Sequence, residues 1–437
     1  MGIDALRTAV RGTVLLPGED DFEQAARPWN TAVRQPVAAV VTAADADDIA
    51  RVVRHAQRTG RTVVTQPTGH GATGDIAGAI LLRTGLLDEI SVDPDRRTAR
   101  VGSGAQWGRV QAAAAAHGLT GLAGSNPVVG VTGYTLGGGF GWFSRAHGWA
   151  ANAVTALEIV DAAGERQRIS ADTDPELFWA LRGGGGDFGI VTALEFDLFE
   201  LPQLYGGRVS WPADRTAEAF ETFTALTTGA PAELSVWLQR YQLPGAAPTV
   251  AIDFAFLGDP AEGRALTSSL DTIAGALTDT RGAMTPDRIG AITAEPTDPT
   301  PSLSRGELLT DLGDAVVKTI IEAPVAPLLN IQIRGLGGAL AATGPGGDGA
   351  RGPVTEPYAL YLLGLGLPHL ADDVRAGFAA IVDGLGTHIT GAKPYTFLAP
   401  GESASTAFDP ATLTRLREIK RARDPHGVLR ANFPVLE

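Results

Sequence analysis

The chain has 437 residues, of which 44% are hydrophobic and 19% charged, enough apolar content for a sizeable core and too much for wholesale disorder. An excess of 49 Asp+Glu over 35 Lys+Arg gives a formal charge of −14, which argues against wrapping nucleic acid or coating an anionic membrane. With no cysteine in the chain, disulfides, thiolate nucleophiles, Cys-ligated metals and a sulfur-linked cofactor are all excluded.

The length corresponds to two or three bodies of about 150 residues each. No stretch approaches the roughly 20 apolar residues that span a bilayer, and the N-terminus carries no apolar leader with a small-residue cleavage site. The expectation is a soluble, cytoplasmic protein.

In chain order, 37–42 read as a buried strand. Asp45 then caps a helix whose Ile49, Val52, Val53 and Ala56 share one face and whose stop is Gly60. A strand over 61–65 leads into the loop Gln66-Pro67-Thr68-Gly69-His70-Gly71. Further short strands are expected at 80–82 and 98–101, and an Ala-rich helix over 107–116. A glycine-rich stretch occupies 124–141. A hairpin is expected over 156–169, turning at Ala163-Gly164, and Asp174-Pro175 opens a helix in cap and first-turn order. That helix runs into RGGGGDFG and a strand over 190–199. The composition shifts near Leu201-Pro202. Beyond it, strands are expected at 234–241, 249–257, 329–334 and 358–364, a Gly/Pro-rich loop at 341–357, and a last helix between Asp409-Pro410 and Asp424-Pro425.

Glycine-rich loops let backbone N–H groups converge on an anion, because glycine adopts positive φ and has no side chain. Three such segments in the N-terminal half (66–71, 124–133 and 136–141) fit an extended diphosphate better than a lone phosphate. The competing reading is a set of tight turns. Residues 184–189 satisfy G-x-G-x-x-G, but a dinucleotide fingerprint follows a strand and opens a helix. Here a helix precedes and a strand follows, so a nicotinamide site is rejected. The seven histidines show no metal-ligand spacing, and neither a serine-hydrolase elbow nor a P-loop occurs; no metal is expected.

The order of these segments resembles the berberine-bridge-enzyme-like branch of the flavoprotein oxidases with the vanillyl-alcohol-oxidase (PCMH-type FAD-binding) fold, and most of all its bacterial members. The resemblance runs through PGEDDFEQAARPWN (17–30), the Gly-His loop at 69–70, NPVVGVTGYTLGGGFGW (126–142), ELFWALRGGGGDFGIVT (176–192), IRGLGGAL (333–340), KPYTFL (393–398) and IKRARDPHGVLRANFPV (419–435). It covers nearly the whole chain.

The resemblance implies an α+β fold. A two-subdomain FAD-binding domain would span 1–204, with its core at about 32–203. A substrate domain with an antiparallel sheet flanked by helices would span 205–392, and 393–437 would return to the first domain. It further implies FAD on the glycine loops, contacted by Pro67, Thr68, Gly69, Gly71, Asn126, Val129, Gly130, Thr132, Gly133, Gly138, Gly139, Gly141, Gly189, Ile190, Val191 and Asn432. His70 would carry the flavin through a ring nitrogen. Many relatives have a second tether, a cysteine, where this chain has Asn126, so attachment is single. The usual arginine and one glycine of the His loop are missing, and a histidine of plant members is replaced by Tyr134. Val129 occupies the position that gates oxygen in relatives.

Period 2 places Asn330, Gln332 and Arg334 on one strand face and Ile331 and Ile333 on the other, and likewise groups Ser235, Trp237, Gln239 and Tyr241. Trp237, Gln239, Asn330, Gln332 and Arg334 are therefore candidates for the floor of a substrate pocket, against the alternative of a solvated sheet face. Tyr395, Tyr134 and Tyr361 are the candidate catalytic phenols. A phenol with an ordinary pKa near 10 needs help from its surroundings to act as a base at neutral pH. The expected activity is that of an FAD-dependent oxidase or dehydrogenase: hydride transfer from a small alcohol, amine or phenol of secondary metabolism to FAD, with oxygen as the favoured acceptor and hydrogen peroxide as product. The alternatives are a redox-neutral flavin-dependent cyclase and a flavin-free binding protein on the same scaffold.

Overall fold

A computed structural model describes residues 2–201, 203–344 and 347–436. Pro202, half of the expected composition boundary, and positions 345 and 346 of the expected 341–357 loop lie outside the described residues.

Three large sheets organise the chain. The first runs Thr13–Leu15, Ala39–Thr42, Ile80–Arg83, Val63–Thr65 and Leu429–Arg430. Its outer Thr13–Leu15 pairing is antiparallel and the rest are parallel, including the one that brings the C-terminal segment beside Val63 and Val64. The helix Ala46–Thr59 covers it with Ile49, Val52, Val53 and Ala56, all buried. Asp45 accepts from the Asp48 amide at its start, and Gly60 closes it in the left-handed conformation, as the capping pattern predicts.

The second sheet is antiparallel, in the order Ile90–Asp93, Thr98–Gly102, Ile190–Asp197, Val154–Val160, Arg166–Ser170. The expected hairpin is its Val154–Val160/Arg166–Ser170 pair, with Gly164 at φ +79° in the turn. The 184–189 loop does follow the helix Pro175–Leu181 and precede the strand Ile190–Asp197. Its Asp187 carboxylate accepts from the amides of Ala431 and Val435 at 2.8 and 2.6 Å. This loop is a dock for the C-terminal segment, and Lys420 Nζ reinforces it by donating to the Asp187 carbonyl at 2.8 Å.

The third sheet is wholly antiparallel. Its main path is Thr278–Asp279, Tyr205–Pro212, Thr249–Phe256, Leu234–Tyr241, Asn330–Gly335, Tyr358–Leu365, Ser302–Leu309. Alternation splits it into two unlike faces. On one, Val236, Leu238, Ile252, Phe254, Ile331, Ile333, Leu360 and Leu362 meet apolar residues of the helices Thr216–Thr227, Asp314–Glu322 and Ala371–Leu385 in one core. Each such side chain contributes about 1.5–3 kcal/mol by leaving water. The other face carries Arg208, Trp237, Gln239, Asp253, Asn330, Gln332 and Arg334 and is turned toward the N-terminal half, where Trp237 stacks on Trp142 with ring centres 3.7 Å apart. Trp237, Gln239, Asn330, Gln332 and Arg334 are all buried, so this face is not solvated.

Candidate functional site

The site begins at the C-terminal ends of the parallel strands Val63–Thr65 and Ile80–Arg83, where open α/β sheets place ligands. The chain leaves the first of these at Gln66. The buried Gln66 carboxamide donates to Gln35 Oε1 at 2.7 Å and to Asn432 Oδ1 at 2.9 Å, so the C-terminal segment fixes the base of the loop. Gly69 follows at φ +82°; a Cβ there would lie 2.8 Å from Pro28 Cβ, so only glycine fits.

This turn presents His70. Its ring stacks on Trp29 at 4.4 Å with planes 17° apart, and Nδ1 shares a hydrogen bond with Thr68 Oγ1 at 2.7 Å. The other ring nitrogen, Nε2, is buried and has no partner. Burial holds the imidazole pKa down at about 4. At neutral pH the ring is therefore uncharged and has a nitrogen lone pair to offer.

From His70 a polar seam continues across both N-terminal sheets. Gly130 lies against Thr68 and Pro67, 3.6 Å from the Thr68 methyl for an added Cβ. Gly130 also starts the short helix Val131–Leu136, which the glycine content hides in the sequence. From that helix Thr132 Oγ1 donates to the Ser103 carbonyl at 3.1 Å, and the Ser103 amide donates to the Thr192 carbonyl at 3.0 Å. Gly104 packs on the Thr84 carbonyl. Along this path Gln66 Oε1, His70 Nε2, Thr84 Oγ1, Ser103 Oγ and Thr135 Oγ1 are buried without partners. A run of orphaned polar atoms is costly unless a polar ligand satisfies it. An extended dinucleotide such as FAD, with its many donors and acceptors, fits that requirement.

The other expected cofactor residues divide into distinct roles. Gly71 and Asn432 adjoin each other, 3.9 Å for an added Cβ. Asn126 uses both ends of its amide to pin the glycine stretch, donating to the Pro296 carbonyl at 2.8 Å and accepting from the Val128 amide at 3.1 Å. Val129 accepts from the Trp107 amide through its carbonyl, and Gly133 faces open space. Gly138, Gly139 and Gly141 pack against Trp149, the Tyr134 ring and the 123–124 backbone, Gly189 packs against Ile159, and Ile190 and Val191 are buried strand residues paired with Val160 and Ile159. These six are closely packed against their neighbours.

The three phenols need correction as bases. Tyr395 OH donates to the Phe433 carbonyl at 2.9 Å and lies under Gly185, a fastening between segments. The Tyr134 hydroxyl is buried with no partner. Tyr361 packs at 4.9 Å from Phe397. Burial pushes all three pKa values above the ordinary phenol range, opposite to what a base at neutral pH requires.

On the facing sheet a network forms that the sequence did not reveal. Asp253, fully buried, accepts from Arg208 Nε and Nη2 at 2.6 and 2.8 Å, and from Gln239. Tyr241 OH accepts from Arg208 at 2.7 Å and donates to Gln239 Oε1 at 2.5 Å, and Asn330 Nδ2 donates to the same oxygen at 2.7 Å. Asn330 Oδ1 remains unpartnered. Arg334 Nε donates to Gln332 Oε1 at 2.5 Å. Arg208 and Asp253 are cross-strand neighbours, a pairing invisible without the strand Tyr205–Pro212. Trp29, by contrast, lay within a recognisable motif.

Residues 37–170 match the family described as an FAD binding domain. With that match on the seam just described, the chain is an FAD-dependent oxidoreductase of the PCMH-type FAD-binding fold. It is a homologue of (R)-6-hydroxynicotine oxidase of Paenarthrobacter nicotinovorans, 25% identical over 98% of this chain and 97% of that enzyme. A more local match, 31% identical, reaches an FAD-linked oxidoreductase of Aspergillus ruber; it covers 57% of this chain and 52% of the relative. Among solved structures, 6-hydroxy-D-nicotine oxidase from Arthrobacter nicotinovorans superposes with a TM-score of 0.84 at 22% identity, covering 98% of both chains. The berberine-bridge-enzyme-like protein 1 of Physcomitrella patens gives 0.87 at 19%, covering 100% of this chain and 99% of its own. Among the described residues no helix is long and apolar enough to cross a membrane.

Proposed function

We propose that the protein is an oxidase that carries FAD covalently on His70 and removes a hydride from a small-molecule alcohol, amine or phenol, with oxygen as the final acceptor. The observation that carries this reading is His70 itself: an uncharged, half-buried imidazole whose buried Nε2 has no partner, at the mouth of a seam of unpaired polar atoms. Names of relatives support an oxidase and a small organic substrate, among them a 6-hydroxynicotine oxidase and a xylooligosaccharide oxidase. When bound, FAD supplies the two-electron acceptor. The chain's own part is to hold it between the His70 loop and the Val131–Leu136 helix, and to roof it with the polar face of the third sheet. Trp237 and Phe140 wall the pocket against water. Tyr134 OH and Asn330 Oδ1 provide a donor and an acceptor that orient the substrate hydroxyl or amine.

The test is to mix the yellow protein anaerobically with a panel of alcohols, amines and phenols and then admit oxygen. Bleaching by at least one compound, with colour restored and hydrogen peroxide released in equal amount, is the expected result. Turnover with neither bleaching nor oxygen uptake would replace the oxidase by a redox-neutral catalyst. A colourless protein that takes up no added FAD would leave a binding protein.

A further inference from the structure

Arg334 stands apart from the other buried arginines. Arg145 donates to the carbonyls of Leu234, Leu336, Ala230 and Pro231. Arg182 and Arg351 each give an Nη to a carbonyl, of Gly347 and Ala407. Arg334, 8% exposed, gives only Nε, to Gln332. Among the described residues neither of its Nη atoms has a hydrogen-bond partner, and no carboxylate forms an ion pair with it. Glu295 acts on it only through space.

Its surroundings are rings. The guanidinium carbon lies 3.9 Å from the centre of Trp237, 5.1 Å from Phe397, 5.5 Å from Phe140 and 5.7 Å from Tyr361. These come from both halves of the candidate site, Phe140 from the glycine segment and the others from the third sheet and the C-terminal region. Ring faces attract a cation but accept no N–H in the plane of the guanidinium. The Gln332 bond fixes Nε, and the stack on Trp237 fixes the plane. What remains is a pre-oriented fork of two unpaired Nη groups, ringed by aromatic side chains and still reached by solvent. A planar fork of this kind matches a carboxylate, and a buried cation without an anion gains most from acquiring one.

We propose that Arg334 anchors a carboxylate of the substrate, so that the compound oxidised is a flat or aromatic small acid bearing the alcohol, amine or phenol. This rests on the oxidase reading for its chemistry, but not for its binding. An uncharged sugar or a cationic amine without a carboxylate would leave the fork unpaired and is disfavoured.

The test uses benzoate and phenylacetate as probes against benzamide and phenylacetamide, equal in shape and uncharged. Binding to the protein as purified is followed by tryptophan fluorescence, since Trp237 touches the site, and independently by the visible flavin spectrum. The acids are expected to bind at least about 30-fold tighter than the amides. Arg334→Met is expected to weaken the acids about 100-fold and the amides less than about threefold, and Arg334→Lys to recover only part, because a lysine keeps the charge without the fork. Equal affinity of acids and amides for the unmodified protein would overturn the proposal without any variant. So would acid binding unchanged in Arg334→Met or fully restored by lysine. Yellow protein with no acid preference would sink this inference and leave the oxidase reading standing. Acid preference in a protein without flavin would do the reverse.

Discussion

Replacing Asp253 with alanine probes how the third sheet presents its polar face. The carboxylate is fully buried and accepts two bonds from Arg208, at 2.6 and 2.8 Å, and one from Gln239. Its removal leaves a guanidinium whose side chain is only 18% exposed, with Tyr241 as its remaining partner. Stranding one half of a buried pair costs about 3–5 kcal/mol, less here because water reaches the arginine; the orphaned Gln239 amide adds about 1 kcal/mol. The expected loss is about 4 kcal/mol. The double variant Arg208→Met/Asp253→Leu removes both charges and is expected to lose only about 1–2 kcal/mol. Chemical denaturation followed by tryptophan fluorescence measures both, and the cycle closed with the singles Arg208→Met and Asp253→Leu isolates the coupling. Gln239 also holds Asn330, so Asp253→Ala is expected to raise KM about tenfold with flavin content unchanged. A single-variant loss under about 1 kcal/mol, or a double variant equal to the sum of the singles, would refute the network.

The His70 imidazole is held down at about 4 by burial, so it stays neutral at and above about pH 5. Flavin incorporation into flavin-free protein is expected to be level from pH 8 to pH 5 and to halve near pH 4 as the ring protonates; halving near the ordinary histidine value of about 6.5 would contradict the burial. Gly69→Ala forces a side chain into Pro28 at positive φ; it is expected to cost about 1–3 kcal/mol in thermal or chemical denaturation and to cut the share of covalently held flavin at least about tenfold. Tyr395→Phe removes only the bond to the Phe433 carbonyl; about 1 kcal/mol of stability is expected to go with the flavin-reduction rate unchanged, and a rate fall of about 100-fold would return Tyr395 to the role of base.

Much of the frame was legible in the sequence because its signals are local. Asp45 and Gly60 bracket a helix by capping chemistry, and the alternation of Asn330 to Arg334 names both faces of a strand before its neighbours are known. The helix–loop–strand order expected around 184–189 is the order found. What escaped was non-local or masked by composition. The helix Val131–Leu136 hides among glycines. The strands Tyr205–Pro212 and Ser302–Leu309 escaped identification; without the former, the Arg208–Asp253 pair could not be seen. Gln35 and Gln66 meet only because sheet order brings them together. The environment of the phenols escaped for a related reason: sequence names the hydroxyl but not its burial, and burial raises its pKa.

The central claim is the bond between His70 and the flavin. Acid precipitation of the purified protein beside His70→Ala tests it directly. The account predicts yellow colour in the washed pellet of the unmodified chain, and a colourless pellet with any flavin in the supernatant for the variant. Colour released from the unmodified chain, or retained by His70→Ala, would contradict it.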